Sequence, residues 1–564
     1  MSQTRKFLIA SAAVVLVSAL IALAYSQEAS PAASAEDQEE FERLARLYGV
    51  IEQNYYEEPG LRQLFSGALN GMLHQLDPHS VFVDAVDYAA LEEQYRGNYQ
   101  GIGVSFIILD EKITVMEVLP GGPSERAGLE MGDQIVEIEG ESALGLDGDE
   151  VQRRLRGPAD TRVSVGLERP HHAELIPVTI TRGEIPILSV DNCFMLDEET
   201  GYIHVSRFAR PTARELETGL RQLDGRGMRR LVLDLRGNTG GLLQAAILVA
   251  DKFLSGRRLI VYTDGRVPDA RQSFYSQRET KSWDLPLVVL IDHVSASASE
   301  IVAGALQDWD RAVIAGQTSF GKGLVQTGFI LGDRSRLLLT TSRYYTPSGR
   351  LIQRDYKGVD LETYQMQGLD DYDPNDVDIG VPSGERPMVS TATGRPVYGG
   401  GGITPDEVIE GELMFDRFVY SLSNQLIVFL YAHDYFWRHR QMPMSFEEFR
   451  DSFAVSDAML AELLELARER EFAYYPMRGE ALSDSRVEEQ FWELADQLRL
   501  VVKAEIAQFY FGRGAGFRLR RTARDNQLAG ARRFFERAAE LAQLQGRIDP
   551  DVFAARRATG GNDE

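Results

Sequence analysis

The amino-acid sequence predicts a multidomain α/β protein, and three features carry that prediction. A chain of 564 residues exceeds what one hydrophobic core holds, so three or four domains are expected. From about Glu184, apolar β-branched runs alternate with helix-length stretches, which implies right-handed crossovers and a largely parallel sheet. Both ends of the chain instead show helical periodicity, and residues 97–183 read as short strands broken by glycine turns. A net charge of −25 argues against nucleic acid as a partner, because a phosphate-binding surface needs clustered positive charge. Cys193 is the only cysteine, so no intramolecular disulfide can form.

At the N-terminus, Arg5 and Lys6 precede an uncharged, mostly apolar stretch from Phe7 to Ala24. Residues 1–25 are therefore read as a signal peptide or a single membrane anchor, with Ala22-Leu-Ala24 as a cleavage site. Either way the remainder is expected to be exported, to the periplasm or cell envelope, and tethered to the inner membrane if the segment is retained. Residues 26–36 read as a linker. Residues 37–96 form a helical segment in which Phe41, Leu44, Leu47, Tyr48 and Ile51, then Leu61, Leu64, Phe65, Leu69, Met72 and Leu73, recur at helical spacing as packing residues.

Residues 97–183 form a distinct unit. The loop Gly101-Ile102-Gly103-Val104 runs into a strand. Its bare backbone leaves N–H groups for a terminal carboxylate, and the adjoining strand edge can pair with an extended peptide. The plainer alternative is a tight turn and nothing more. Residues 184–411 supply strand candidates at 201–206, 231–235, 259–262 and 287–291, with helices at 212–223 and 242–254 between them. Asp370 to Arg395, rich in Asp, Pro and Gly, reads as an insertion or mobile loop. Residues 412–564 carry strong helical periodicity (Leu460, Leu463, Leu464, Ala467; Phe491, Leu494, Leu498) and are expected to form an added α-helical domain. Within it, Arg513 to Arg537 is a basic stretch, read first as a solvated helix face and second as a contact for an acidic partner or membrane surface.

The chemistry concentrates between Leu285 and Gln326. An apolar run ends in Ser295, Ser297 and Ser299, a helical pattern follows, and Lys322 stands between two glycines. The chain has seven Lys against 53 Arg, so a lone lysine beside Phe320, Leu324 and Val325 is informative. Arg cannot release its proton in a protein, whereas a desolvated Lys can act as a base toward a serine hydroxyl. Chemistry alone does not choose among the three serines. Competing readings are a polar helix start, a surface lysine, and a phosphate loop in Gly316-Gln-Thr-Ser-Phe-Gly321-Lys322. That loop has Gly323 where a magnesium-binding hydroxyl belongs. No metal-ligand spacing occurs in the chain.

SASASEIVAGALQD followed by FGKGLVQ is similar to the C-terminal processing peptidases, or tail-specific proteases. LDPHSVF, the AGL…GDQI run, DLRGNTGG, SRYYTPSGRLIQ and GGGGITPD extend the resemblance from about Glu40 to Pro405. It implies a crotonase-like α/β protease core (184–411) with an inserted PDZ domain (97–183). It implies Ser297 as nucleophile, Lys322 as general base and Gln326 as the residue orienting the lysine. Ser295 and Ser299 would be structural, with Ser299 an N-cap. Ala298 and a glycine of the DLRGNTGG turn, Gly240 or Gly241, would form the oxyanion hole, and Gly101 to Val104 would hold the substrate's end. On a straight strand, residues four apart lie about 13 Å from one another, so Gln326 reaches Lys322 only if the chain bends. The resemblance further implies protein substrates with accessible C-terminal tails and a homodimer. The mechanism needs no cofactor, apolar side chains near Ile102, Val104 and Phe106 favour an apolar last residue, and Arg156 in LRGPADTRV is read as a link from peptide occupancy to the protease domain. The rival readings are a catalytically silent tail-binding scaffold and an acyl-CoA-processing enzyme on the same core.

Overall fold

The computed structural model describes residues 35–169, 172–277, 283–332, 334–359, 363–364, 387–476 and 480–559. The expected signal or anchor segment and most of the 26–36 linker lie outside these residues, as does 370–386 of the expected insertion. Two compact units divide the chain, Met1–Asp84 and Ala85–Glu564.

In the first unit, helices Ala35–Asn54 and Leu61–Leu73 precede a short strand, Val81–Val83. The helix therefore begins two residues inside the expected linker. Asp77 organises the turn after the second helix by accepting from the N–H groups of His79 and Ser80 and from Ser80 Oγ. Helical periodicity did not translate into packing here. No residue of Leu61–Leu73 is buried, and Leu47, Phe65 and Met72 are 52 to 56% exposed. Among the described residues of this unit, the two helices and the short strand leave most of the apolar stripe uncovered.

The second unit begins with helix Ala85–Arg96 and then the expected PDZ-like domain. Asn98–Gly101 pairs antiparallel with Gly183–Pro186, so the domain enters and leaves through one two-stranded ribbon. Inside it an antiparallel sheet runs in the order Val104–Leu109, Lys112–Val118, Gln134–Ile138, Arg162–Glu168, Ile176–Thr181. Its inward side chains, among them Ile113, Val115, Ile135, Val163 and Leu167, pack against Val151 and Leu155 of helix Gly148–Leu155. Asp147 caps that helix by accepting from Glu150 N–H.

The core is a six-stranded sheet in the order Val190–Met195, Thr200–Val205, Arg230–Asp234, Leu287–Ile291, Val313–Gly316, Glu407–Val408. All its pairings are parallel except the first. The 259–262 candidate does not join it. Gly256 and Arg257, both at positive φ, turn the chain away. Leu259–Gly265 then pairs antiparallel with Gln272–Tyr275 and with Arg336–Tyr345, which also pairs with Leu324–Ile330. The part of the expected insertion from 388 to 395 belongs to a small hairpin of Met388–Ser390 and Pro396–Tyr398, fastened by Arg395 to Asp310 and Asp406.

Parallel sheets need both faces covered. Helices Thr212–Asp224, Leu243–Asp251 and Ala298–Asp308 cover one face, where Ile203, Leu231, Leu233, Val289 and Ile291 are buried. The C-terminal segment covers the other: Leu528, Ala531, Phe535, Ala538 and Leu541 pack on Tyr202, Val232, Val288, Leu290 and Val313. The last helices thus complete the α/β core rather than standing apart from it. Residues between, from Phe415 to Leu519, form a helical cluster around Phe418, Phe449, Leu463, Phe491 and Leu498. Ile107, Met116 and Met131 of the PDZ-like domain pack against it.

Candidate active site

The strand Leu287–Ile291 ends at the three serines, and the structure separates them. Ser295 is buried, with its Oγ 2.9 Å from Leu235 O and from Asp292 Oδ1. Ser299 is buried and donates to Asn238 O at 2.8 Å. Ser297 is partly exposed, and among the described residues its hydroxyl donates to no protein acceptor. Ser297, not Ser299, is the N-cap of helix Ala298–Asp308, because the helix starts two residues earlier than expected. It stands at φ 55° and ψ −110°, a backbone conformation that side chains with a Cβ rarely adopt.

One carboxylate, which sequence reasoning did not single out, joins this serine to the lysine. Glu300 is fully buried. Its Oε2 accepts from Ser297 N–H at 2.7 Å and Lys322 N–H at 2.9 Å. Its Oε1 accepts from Gly321 N–H at 2.7 Å and Ser319 Oγ at 2.6 Å. Burial pushes the Glu300 carboxyl up to about 7, against the lowering effect of these four donors. Tyr344 makes a second tie, its buried hydroxyl lying 3.1 Å from Ser297 O and 2.5 Å from Lys322 O. The spacing Ser297-Ala-Ser-Glu300 is that of a capping box, a signal by which Glu300 could have been found.

Lys322 is half-buried. Its flanking glycines permit close backbone approach. A Cβ on Gly321 would lie 3.0 Å from Gly402 N, and one on Gly323 would lie 2.8 Å from Gln353 N. A strand, Leu324–Ile330, follows, where a phosphate loop would need a helix, and this removes the nucleotide-binding alternative. A register shift between Val325 and Gln326 interrupts the regular ladder. In this structure the Gln326 amide makes a long contact, 3.4 Å, to Thr340 Oγ1 across the ladder.

The glycine turn after Arg230–Asp234 lies directly against the serine. A Cβ on Gly240 would fall 2.8 Å from Ser297 Cβ and 3.0 Å from Ala298 N. A Cβ on Gly241, at φ 140°, would fall 2.2 Å from Phe208 O. Asn238 knits the turn together. It donates to Val205 O, accepts from Gly240 N–H at 2.8 Å, and offers its own carbonyl to Ala296 N–H and Ser299 Oγ. The Gly240 N–H is therefore engaged, and among the described residues no acceptor takes that of Gly241 or Ala298. Arg236 opens the turn and is itself buried between Asp234 and Asp525. Arg236 holds the Asp234 carboxyl far below the usual carboxylate range despite complete burial.

In the PDZ-like domain, Val104–Leu109 pairs on one side only and is an edge strand. Between it and helix Gly148–Leu155 runs a groove of about 770 Å³, lined by Ile102, Gly103, Val104, Phe106, Gln152 and Leu155 among others. Gly101 is buried at the ribbon's end, and Gly103, at φ 78°, makes the turn into the edge strand. Arg156 borders the groove, stacked 4.7 Å over Tyr99 and paired with Glu93 at 2.8 Å. The basic stretch from Arg513 is only in part the solvated face expected of it: Arg513, Arg524, Arg532 and Arg533 are exposed, while others turn toward rings and carboxylates of the protein. Arg518 lies over Phe194 and Phe446, Arg520 faces Glu505, Arg521 pairs with Asp525, and Arg532 pairs with Asp197.

Comparison with known proteins bears on this geometry. Residues 199–363 match peptidase family S41, 114–169 a PDZ domain, 15–86 the activating protease CtpB N-terminal domain, and 418–512 a family of unknown function. The carboxy-terminal-processing protease of Bartonella bacilliformis is 35% identical, over 62% of this chain and 80% of that protein. The carboxy-terminal processing protease CtpB of Bacillus subtilis is 32% identical, over 59% and 69%. Among solved structures, the photosystem II D1 C-terminal processing protease is 28% identical over 58% of this chain and 96% of that one, with a TM-score of 0.30.

Proposed function

The chain belongs to the carboxy-terminal processing proteases of peptidase family S41, and from that premise we propose a Ser–Lys endoprotease that grips the C-terminal tail of its protein substrate in the PDZ groove. Ser297 is the nucleophile and Lys322 the base. As Ser297 Oγ attacks the scissile carbonyl, the neutral Lys322 amine takes its proton. The oxyanion is received by Ala298 N–H and one N–H of the glycine turn, donors already fixed before the reaction. With Gly240 N–H spent on Asn238, the Gly241 amide is the second donor. Lys322 passes its proton to the leaving amine and then deprotonates the water that hydrolyses the acyl-enzyme. Gln326, released from its long contact to Thr340, orients the lysine. Water is the only co-reactant this sequence of steps requires.

The observation that carries the reading is the double tie between the two loops. Glu300 and Tyr344 each bond the backbone of both Ser297 and Lys322. Nothing about a tail-binding scaffold calls for that. The test is cleavage of a reporter carrying an apolar C-terminal tail. Ser297→Ala and Lys322→Arg should each abolish turnover while tail affinity persists. Turnover surviving in either variant removes the Ser–Lys mechanism, and an inactive wild type leaves the silent scaffold.

Tail capture is supported by the open edge strand beside the bare Gly101–Val104 loop. A peptide with a free apolar C-terminus should bind, and its C-terminal amide should not. Export to the cell envelope follows from the basic flank and apolar run at residues 5–24. N-terminal sequencing of the fractionated protein decides between cleavage and anchoring. Self-association is supported by the exposed apolar residues Leu47, Phe65 and Met72 on the N-terminal helices. Light scattering of the intact chain should report a dimer that Phe65→Asp dissolves.

A further inference from the structure

The guanidinium of Arg236 sits 6% exposed between two carboxylates, and all of its N–H groups are spent. Nε donates to Asp234 Oδ1 and Nη2 to Asp234 Oδ2. Nη1 and Nη2 donate to Asp525 Oδ1 and Oδ2 at 2.9 and 2.7 Å, and Nη1 also donates to Gln527 Oε1 at 2.9 Å. Five bonds, four to two facing carboxylates and one to the Gln527 amide, leave the side chain a single orientation. Asp234 lies on the same strand end, so by itself it only folds the arginine back locally. Asp525 and Gln527 come from the C-terminal helices and fix that end from outside.

They are in turn well anchored. Asp525 caps helix Asn526–Ala531 through Leu528 N–H and pairs with Arg521, and the Gln527 amide donates to Ile409 O. On the other side, Arg236 begins the turn whose Gly237 N–H is taken by Asp292 and whose Gly240 abuts Ser297. His204 adds a contact from its Nε2 to Arg236 O at 3.2 Å.

Resting on the Ser–Lys reading above, we infer that Asp525, with Gln527 beside it, is a positioning residue for the oxyanion turn: by clamping Arg236 it makes the C-terminal helices part of the proteolytic site. The role deepens that reading, since neither residue touches substrate and both act through Arg236.

The experiment uses the full chain and Asp525→Asn, which keeps a side-chain acceptor for Leu528 N–H but removes the charge and one of the two acceptors facing Arg236. With a tailed reporter, kcat should fall roughly 10- to 100-fold with KM unchanged, the scale on which small misplacements act. A substrate-derived peptide aldehyde, whose adduct with the serine places an oxygen where the oxyanion forms, should bind weaker by a matching factor. Affinity for a tail peptide and the unfolding temperature should stay near wild type, and Asp525→Glu should recover part of kcat.

Wild-type kcat in a folded Asp525→Asn overturns the inference. So does a loss in kcat that leaves aldehyde affinity intact and tracks the unfolding temperature. If Asp525→Asn does not fold, Gln527→Ala, which removes one bond and leaves both ion pairs, should lower kcat several-fold; an unchanged kcat overturns the inference. Ser297→Ala runs alongside. Activity in that variant sinks the Ser–Lys reading, whereas a dead Ser297→Ala beside a fully active Asp525→Asn sinks only this inference.

Discussion

The PDZ groove and the serine–lysine junction are built on opposite principles. The groove offers unmet valence: an edge strand with one neighbour, entered through the short Ile102-Gly103 turn between two strands. At the junction, backbone groups around the reacting side chains are already bonded, to Glu300, Tyr344, Asn238 and Asp292. A surface that must accept many tails gains from main-chain recognition, which ignores side-chain identity. A site proposed to hold a hydroxyl and an amine in reacting order gains from a backbone that is already fixed. The difference places adaptability at one end of the substrate and rigidity at the other.

The largest expected effect comes from breaking the rigid half. In Glu300→Gln an NH2 group replaces one oxygen and confronts two N–H or O–H donors, whichever way the amide turns. Each stranded buried donor costs about 1–3 kcal/mol. Chemical denaturation should register a loss of about 2–5 kcal/mol, and reporter turnover should fall by more than about 100-fold even where the variant remains folded.

Breaking the adaptable half should act on KM instead. Val104→Asp places a charge in the groove beside the incoming carboxylate. The expected result is a rise in KM of about tenfold or more for a tailed reporter. Its kcat at saturation should be unchanged, as should turnover of a short peptide that does not reach the groove.

The pH dependence of stability sharpens the contrast. Glu300 has a folded value near 7, above its ordinary 4.5, so the folded state holds this proton more tightly than the unfolded one. Stability should therefore decline as pH rises from about 4.5 to about 7 and level off above, with a total of about 3 kcal/mol from this group. Glu300→Gln removes that decline. His204 is also raised above its ordinary value, by its bond to Asp191 and the nearby Asp234 outweighing burial, and its contribution is lost as pH rises past 6.5. A slope persisting in Glu300→Gln at the upper end of the range belongs to that histidine. Asp234 and Asp525 are depressed, so their contribution is present above about pH 4 and disappears only as pH falls below it.

The smallest effect concerns strain. Ser297 holds a positive φ that glycine adopts freely. Ser297→Gly and Ser297→Ala should be equally inactive, but the glycine variant should be the more stable, by about 1 kcal/mol in denaturant titration.

Much of this architecture was readable from residue patterns, because strand–helix alternation and the glycine-flanked lysine are local signals. The alternation of strands and helices follows from spacing, while the PDZ-like unit and the neighbourhood of Ser297 and Lys322 were readable through the family motifs. Three things were not. Periodicity marks an apolar face without saying what covers it, so Leu47 and Phe65 looked like packing residues and proved exposed, while Leu463 and Phe491 look the same and are buried. The run from Arg513 looked solvated because charge is usually outside, and spacing alone did not show which of its arginines, Arg518, Arg520 and Arg521, turn inward. The strand at 259–265 resembled its parallel neighbours until the turn at Gly256 and Arg257 sent it to another sheet. Of the three serines, the fold engages the hydroxyls of Ser295 and Ser299, a difference that spacing did not show and that supports the proposal of Ser297.

A polypeptide emerges from its N-terminus, and Arg236 is synthesised long before the helix that carries Asp525. Until that last segment is made and docked, one face of the parallel sheet stays bare and the arginine at the head of the glycine turn has only its local carboxylate. A half-made or truncated copy therefore carries every reacting group without the frame that aligns them. On the inference above, a copy ending before Asp525 would carry Ser297 and Lys322 without the outer clamp on Arg236, and should cut a tailed reporter no faster than Asp525→Asn.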